Sequence, residues 1–384
     1  MSTPLLARVA LAHLAEPGNR DMGILVDIHG PIDALARLKA GDIPHRLLRV
    51  VSARLAAADP LETAARLVER TDQLGGRIIV PEDDEWPTQV DDLRRISVES
   101  PNRADRDVYP PLCMWVRGPM RLDDAVGRSV ALIGARASSA YGNHVAADLA
   151  YGLAGRAWHV VSGGAFGIDA QAHRGAVAGG GVTVAVLACG VDRPYPMAHA
   201  GLFERIMQDG LLLSEWPPGA EPHRHRFLTR NRVIAALTRG TVVVEASARS
   251  GARQTANRAA RLGRAVMAVP GPITSATSVG THQMLRELGT RLVTSPAEII
   301  EEVGHIGELA DIERGPERER DRLDPDVARI LDAIPLRDGA GPAQIAAVAG
   351  VPLREALQTL PYLALHGLIV EDSGRWRLAP RART

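Results

Sequence analysis

"VVSGGAFGIDAQAHRGA", residues 160–176, passes from an apolar β-like run through Ser162, Gly163, Gly164 and Gly167 into a helix that carries Asp169 and His173. A strand that ends in glycines and turns straight into a helix is the repeating unit of an α/β sheet. The same pattern recurs to either side of it. The runs "SVALIG", "VTVAVLACG", "GLLLSE", "TVVVEA" and "RAVMAVPG" are separated by Ala-rich helical segments such as "GNHVAADLAYGLAG" and "RNRVIAALTRG". Near-continuous apolar strands alternating with helices predict an α/β domain whose sheet is parallel, doubly wound and covered on both faces. A ligand is then expected beyond the carboxyl ends of the strands.

Flanking segments divide the rest of the chain. Residues 1–75 carry helix-like apolar spacing in "LLARVALAHL", "PIDALARLKAG" and "LETAARLVERTDQLG", which predicts an all-helical N-terminal domain. The α/β domain is assigned to 76–304. Residues 305–324, "HIGELADIERGPERERDRLD", are dense in charge and read as a solvated linker. In 325–384, three helical segments are followed by "LIVEDSGRWRLAP", two short strands around Ser373-Gly374, the order of a winged helix. The third of those helices offers one basic residue near its start, Arg354, so docking to a protein stands beside duplex reading as its role.

Composition excludes several classes. There are 45 basic and 45 acidic residues, so a polyanion has to be attracted by a local patch. Lys39 is the only lysine. The cysteines, Cys113 and Cys189, form no CxxC pair and no zinc-ligand spacing, which fits a reducing compartment and no structural metal. No apolar run approaches the roughly 20 residues of a membrane span, and a cytoplasmic location is expected.

The strand ends carry the chemistry. They read Gly134-Ala135-Arg136, Ser162-Gly163-Gly164, Cys189-Gly190-Val191-Asp192, Ser214-Glu215, Glu245-Ala246 with Ser250-Gly251, and Pro270-Gly271. In a parallel sheet these share one edge, where glycine amides and helix N-termini suit an anion such as a phosphate. Neither G-x-G-x-x-G nor G-x-x-x-x-G-K-[ST] occurs, so no dinucleotide cofactor and no P-loop are called for. Asp169 and His173, four apart, share a helix face. They read either as a first-turn carboxylate favoured by the helix dipole or as an acid/base pair beside the anion site, and a metal would need a third ligand. The strongest positive signal is "PHRHRFLTRNRVIAALT", residues 222–238, with Arg224, Arg226, Arg230 and Arg232 around Phe227. Such a cluster is a solvated face or a track for a nucleic acid backbone, with Phe227 against a base.

"ALIGARASSAYG", "VVSGGAFGIDAQAH", "VLACGVDRPYP", "LLLSEWPPG", "RNRVIAALT", "VVVEASARSGARQTA" and "GRAVMAVPGP" resemble, in order and spacing, the DNA-processing protein A family, also called DprA or Smf. The resemblance covers about residues 80–300. It implies an extended Rossmann-like core beside a SAM-like N-terminal domain and a winged helix. It further implies a non-enzymatic protein without cofactor that binds single-stranded DNA cooperatively as a homodimer. Such a protein shields incoming strands in natural transformation and helps load the recombinase RecA. By resemblance Arg136, Ser162, Gly163, Gly164, Phe227, Arg230, Asn231 and Arg232 line the DNA pocket. Gly167, Asp169 and His173 match the family's G-I-D-x-x-x-H, and Ser250, Gly251, Thr255 and Ala256 its S-G-x-x-x-T-A. Two departures stand out: Gly164 and Phe166 replace a leucine and a frequently basic residue, and Arg253-Gln254 replaces an apolar pair. A phosphoribohydrolase-like enzyme, using Glu245 or Asp169, and a winged-helix regulator of duplex DNA are the competing readings.

Overall fold

A computed structural model describes residues 3–99, 108–287, 289–305 and 323–379. The chain forms two compact units, Met1–Asp311 and Ile312–Thr384. Of the expected linker 305–324, all but the ends lies outside the described residues.

The first unit opens with four helices: α1 (Thr3–Leu14), α2 (Arg20–Ala40), α3 (His45–Ala57) and α4 (Pro60–Gln73). Local chemistry sets their limits. Asn19 caps α2 by accepting from the Met22 amide, and Asp59 caps α4 with Pro60 in the first turn. Helix α2 breaks at Gly30 (φ 73°, ψ 164°), where Pro31 removes a donor and disfavours helical geometry in the residue before it. Leu11, Leu14, Leu38, Leu47 and Val51 form a core continuous with Trp115 and Val191 of the sheet domain.

The sheet domain follows as β1 (Gly76–Ile79), α5 (Leu93–Glu99), β2 (Met114–Arg117), α6 (Leu122–Gly127), β3 (Ser129–Ile133), α7 (Ala140–Ala154), β4 (His159–Ser162) and α8 (Ile168–Ala178). It continues through β5 (Thr183–Leu187), α9 (Ala200–Asp209), β6 (Leu211–Ser214), α10 (Arg224–Leu237), β7 (Gly240–Val243) and α11 (Gly251–Arg261). The last elements are β8 (Ala265–Ala268), α12 (Val279–Met284), β9 (Thr290–Leu292) and α13 (Pro296–Val303). The order across the sheet is β1-β2-β6-β5-β4-β3-β7-β8-β9, with parallel pairing from β6 to β9. All six expected apolar runs are strands. Strands β1 and β2, added antiparallel at the β6 edge, lie outside the six expected runs. Their sequences, GRII and MWVR, each carry an arginine and lack the unbroken apolar run of the six recognised strands.

Strand β3 is central and buried on both faces. Val130 and Leu132 pack with α7 and α8, and Ala131 and Ile133 with α10 and α11. The chain winds outward from β3 through β4, β5 and β6, then crosses back to continue with β7, β8 and β9. That reversal, between β3 and β7, leaves a crevice outside their carboxyl ends.

The second unit packs α14 (Pro325–Asp332), α15 (Pro342–Ala349) and α16 (Leu353–Leu365) with the antiparallel pair β10 (Ile369–Asp372) and β11 (Arg375–Leu378). Ser373 and Gly374 both have positive φ, 51° and 77°, as a two-residue hairpin turn requires. Ile330, Ile345, Leu360, Leu363 and Trp376 form its own core.

Candidate nucleic-acid interface

At the crevice between β3 and β7 lies a cleft of about 650 Å³. Helix α10 supplies one wall with Arg224, Phe227, Arg230, Asn231 and Ile234. These recur at the three- and four-residue spacing of a single helix face. Arg136, in the turn after β3, stands opposite, its guanidinium carbon 4.8 Å from the centre of the Phe227 ring. Tyr195, 45% exposed, reaches in after β5 with its ring 5.9 Å from Phe227. The N-terminus of α11 closes the other side through Ser250, Gly251, Ala252 and Thr255. Ser250 caps that helix by accepting from the Ala252 amide, and a Cβ on Gly251 would meet nothing within 4 Å, so the backbone there is open to the cleft.

The arginines of 222–238 part company because each residue turns about 100° around the helix. Arg224 and Arg136 are exposed and have no carboxylate within ion-pair distance among the described residues. Arg226 turns away and pairs with Glu16 at 2.8 Å. Arg230 is 3% exposed and lies at the cleft floor, donating to the carbonyls of Gly163 (2.7 Å) and Val186 and to Asn231 Oδ1 (3.0 Å). Burial lowers its pKa to about 10, with Asp169 opposing, so it remains a cation at neutral pH. Asp169, 7% exposed, is pushed up by burial against the pull of Arg230.

Two expected site residues, Arg232 and His173, lie away from the cleft lining. Arg232 is wholly buried behind the helix, both of its terminal nitrogens bonded to Glu215 at 2.7 Å, because an apolar interior tolerates a guanidinium only with a matched carboxylate. His173 lies one turn deeper than Asp169, with no exposure, and its Nδ1 is 2.7 Å from Thr183 Oγ1. The Thr183 hydroxyl donates to the Val160 carbonyl, so Nδ1–H is the donor to Thr183.

Ser162, Gly163, Gly164 and Gly167 sit beneath and beside the cleft and do not line it; Ala165 and Asp169 do. Ser162 donates to the Leu132 carbonyl. A Cβ on Gly163 would fall 2.4 Å from the Arg230 guanidinium, and one on Gly167 2.2 Å from the Ala135 carbonyl. The glycines therefore make room for Arg230 and for the turn bearing Arg136. Glu245 is 1% exposed and accepts from the Ser139 amide (2.9 Å) and Thr277 Oγ1 (2.8 Å), which fixes the start of α7. Asp192 holds the Gly219 amide and Arg70. Tyr195 joins the cleft beyond the residues singled out from sequence, and Arg224 of the 222–238 cluster joins it too. The only trace of Tyr195 there was a ring between two prolines.

Burial, with smaller contributions from Arg230 and His199, pushes the His173 imidazole down to about 3. Below about pH 6.5 the unfolded chain takes up a proton that the folded chain refuses, so stability from His173 is complete above that pH. It declines by up to about 1.4 kcal/mol per pH unit below it. The raised Asp169 carboxyl acts in the opposite direction. The urea midpoint is therefore expected to drop less between about pH 7 and about pH 5 in His173→Asn than in the unaltered protein.

Residues 77–304 match the family of DNA recombination-mediator protein A. A DNA processing protein DprA of Mycobacterium tuberculosis is 46% identical over 372 residues, 96% of this chain and 92% of that protein. The DNA processing protein DprA of Streptococcus pneumoniae is 41% identical over 192 residues, 50% of this chain and 67% of that one. The X-ray structure of DNA processing protein A from Streptococcus pneumoniae superposes with a TM-score of 0.65 at 29% identity, covering 79% of this chain and 99% of that one.

Proposed function

The chain belongs to the DNA recombination-mediator protein A family, and from that premise we propose that its cleft binds single-stranded DNA as a non-enzymatic recombination mediator. The observation that carries this reading is the pair of exposed guanidiniums, Arg136 and Arg224, which meet no carboxylate among the described residues and line the cleft together with the Phe227 ring. Arginine forks suit phosphate oxygens, and the Phe227 ring in the same cleft suits an unpaired base. The open backbone at Gly251, in the first turn of α11, adds a place for a further phosphate. The carboxylates that an enzyme would use are already engaged, Glu245 with Ser139 and Thr277 and Asp169 beside Arg230.

In this reading the protein acts in the cytoplasm as a homodimer, shields incoming single strands and hands them to RecA. Residues 1–75 form a SAM-like domain, 76–304 the Rossmann-like DNA domain and 325–384 a winged helix. Leu353, Leu357 and Leu365 are exposed on the third helix of the last domain, which favours protein docking over duplex reading there. The test is an anisotropy titration with an oligothymidylate and with a duplex of the same length. Preference for the single strand is expected, and Phe227→Ala should weaken it by about tenfold, the worth of one stacked base. Equal affinity for the duplex, or an unaltered Phe227→Ala, overturns the proposal.

A further inference from the structure

Helix α10 carries Arg224 and Phe227 into the cleft, yet its first turn has no side-chain cap. Its N-cap residue is His223, whose side chain makes no capping hydrogen bond. The fastening comes from the opposite face. Arg226 Nε and Nη2 donate to the two oxygens of Glu16 at 3.1 and 2.8 Å, and its Nη1 donates to the Glu221 carbonyl at 2.8 Å. Its guanidinium lies 5.5 Å from the centre of the Trp216 ring, and Trp216 Nε1 also donates to Glu16, at 3.0 Å. Glu16 belongs to the loop between α1 and α2, where Arg54 of α3 binds it at 2.8 Å. One carboxylate thus collects donors from the N-terminal helices, from the loop after β6 and from the first turn of α10. Its negative charge also sits near the positive end of that helix dipole.

We infer that Glu16 is a positioning residue for the cleft: through Arg226 it sets the place of Arg224 and Phe227, so the N-terminal helices govern DNA affinity without touching DNA. The inference rests on the reading of the cleft as a DNA site, and its test separates the two. In Glu16→Gln, amide hydrogen exchange across residues 224–230 is expected to accelerate, a readout that needs no DNA. Oligothymidylate affinity should fall about fivefold, while the slope of log K against log salt stays unchanged because no phosphate contact is lost.

Arg8→Ala is the control. It removes the bond from α1 to Glu82 (2.7 Å) and loosens the same helix elsewhere, so it should lower the melting temperature and leave affinity and exchange in α10 unaltered. Unchanged exchange in Glu16→Gln overturns the inference, as does an equal loss of affinity in Arg8→Ala. Absence of single-strand binding by the unaltered protein would instead refute the function, with the exchange experiment still deciding the role of Glu16.

Discussion

Arg232→Ala is expected to lose about 3–5 kcal/mol of folding stability while the molecules that remain folded bind oligothymidylate as before. Truncation leaves the Glu215 carboxylate, itself 5% exposed, without the two 2.7 Å bonds that offset its desolvation. Burial already raises the Glu215 pKa, and Arg232 is what opposes that rise. Against a typical total of about 5–15 kcal/mol, the loss is a large part of what keeps the domain folded. Replacing both partners, Arg232→Met with Glu215→Leu, should recover most of it, since an apolar pair of similar volume carries no desolvation cost. Urea denaturation of the single and double variants measures both effects. A stable Arg232→Ala with weakened DNA binding would return Arg232 to the cleft.

The reverse pattern is expected at the cleft mouth. Arg136→Ala and Arg224→Ala remove exposed guanidiniums that meet no carboxylate among the described residues, Arg136 resting only against the Phe227 ring, so stability should change by no more than about 0.5 kcal/mol. Each charge-assisted contact to a phosphate contributes about 1.5 kcal/mol, and the double variant should bind single-stranded DNA about a hundredfold more weakly. The two losses should add, because the residues approach the ligand from different walls.

How far the sequence carries follows from these residues. Strands β3 to β8 were legible because a buried parallel strand is an unbroken apolar run, and "SVALI" or "TVAVL" admits few other readings. The crevice was legible too, since glycines and polar groups recur at each strand end. What the row of arginines does was not. Arg224, Arg226, Arg230 and Arg232 look alike in the sequence, but their fates depend on Glu16, about 210 positions away, on Glu215, and on the carbonyls of Gly163 and Val186. Helical phase alone could have separated Arg224, Phe227 and Asn231 from Arg226. It could not have told which face met the sheet. The glycines misled in a similar way: Gly163 and Gly167 are required by the atoms packed against them, Arg230 and the Ala135 carbonyl, and leave the anion-facing surface to other residues.

Salt dependence of oligothymidylate binding, compared between the unaltered protein and Arg136→Ala/Arg224→Ala, tests the electrostatic account of the cleft most directly. Each phosphate released from single-stranded DNA contributes about 0.7 to the slope of log K against log salt, so the double variant is expected to show a slope shallower by about 1.4. Identical slopes would mean that these two guanidiniums meet no phosphate, and the cleft between β3 and β7 would not be where the strand is held.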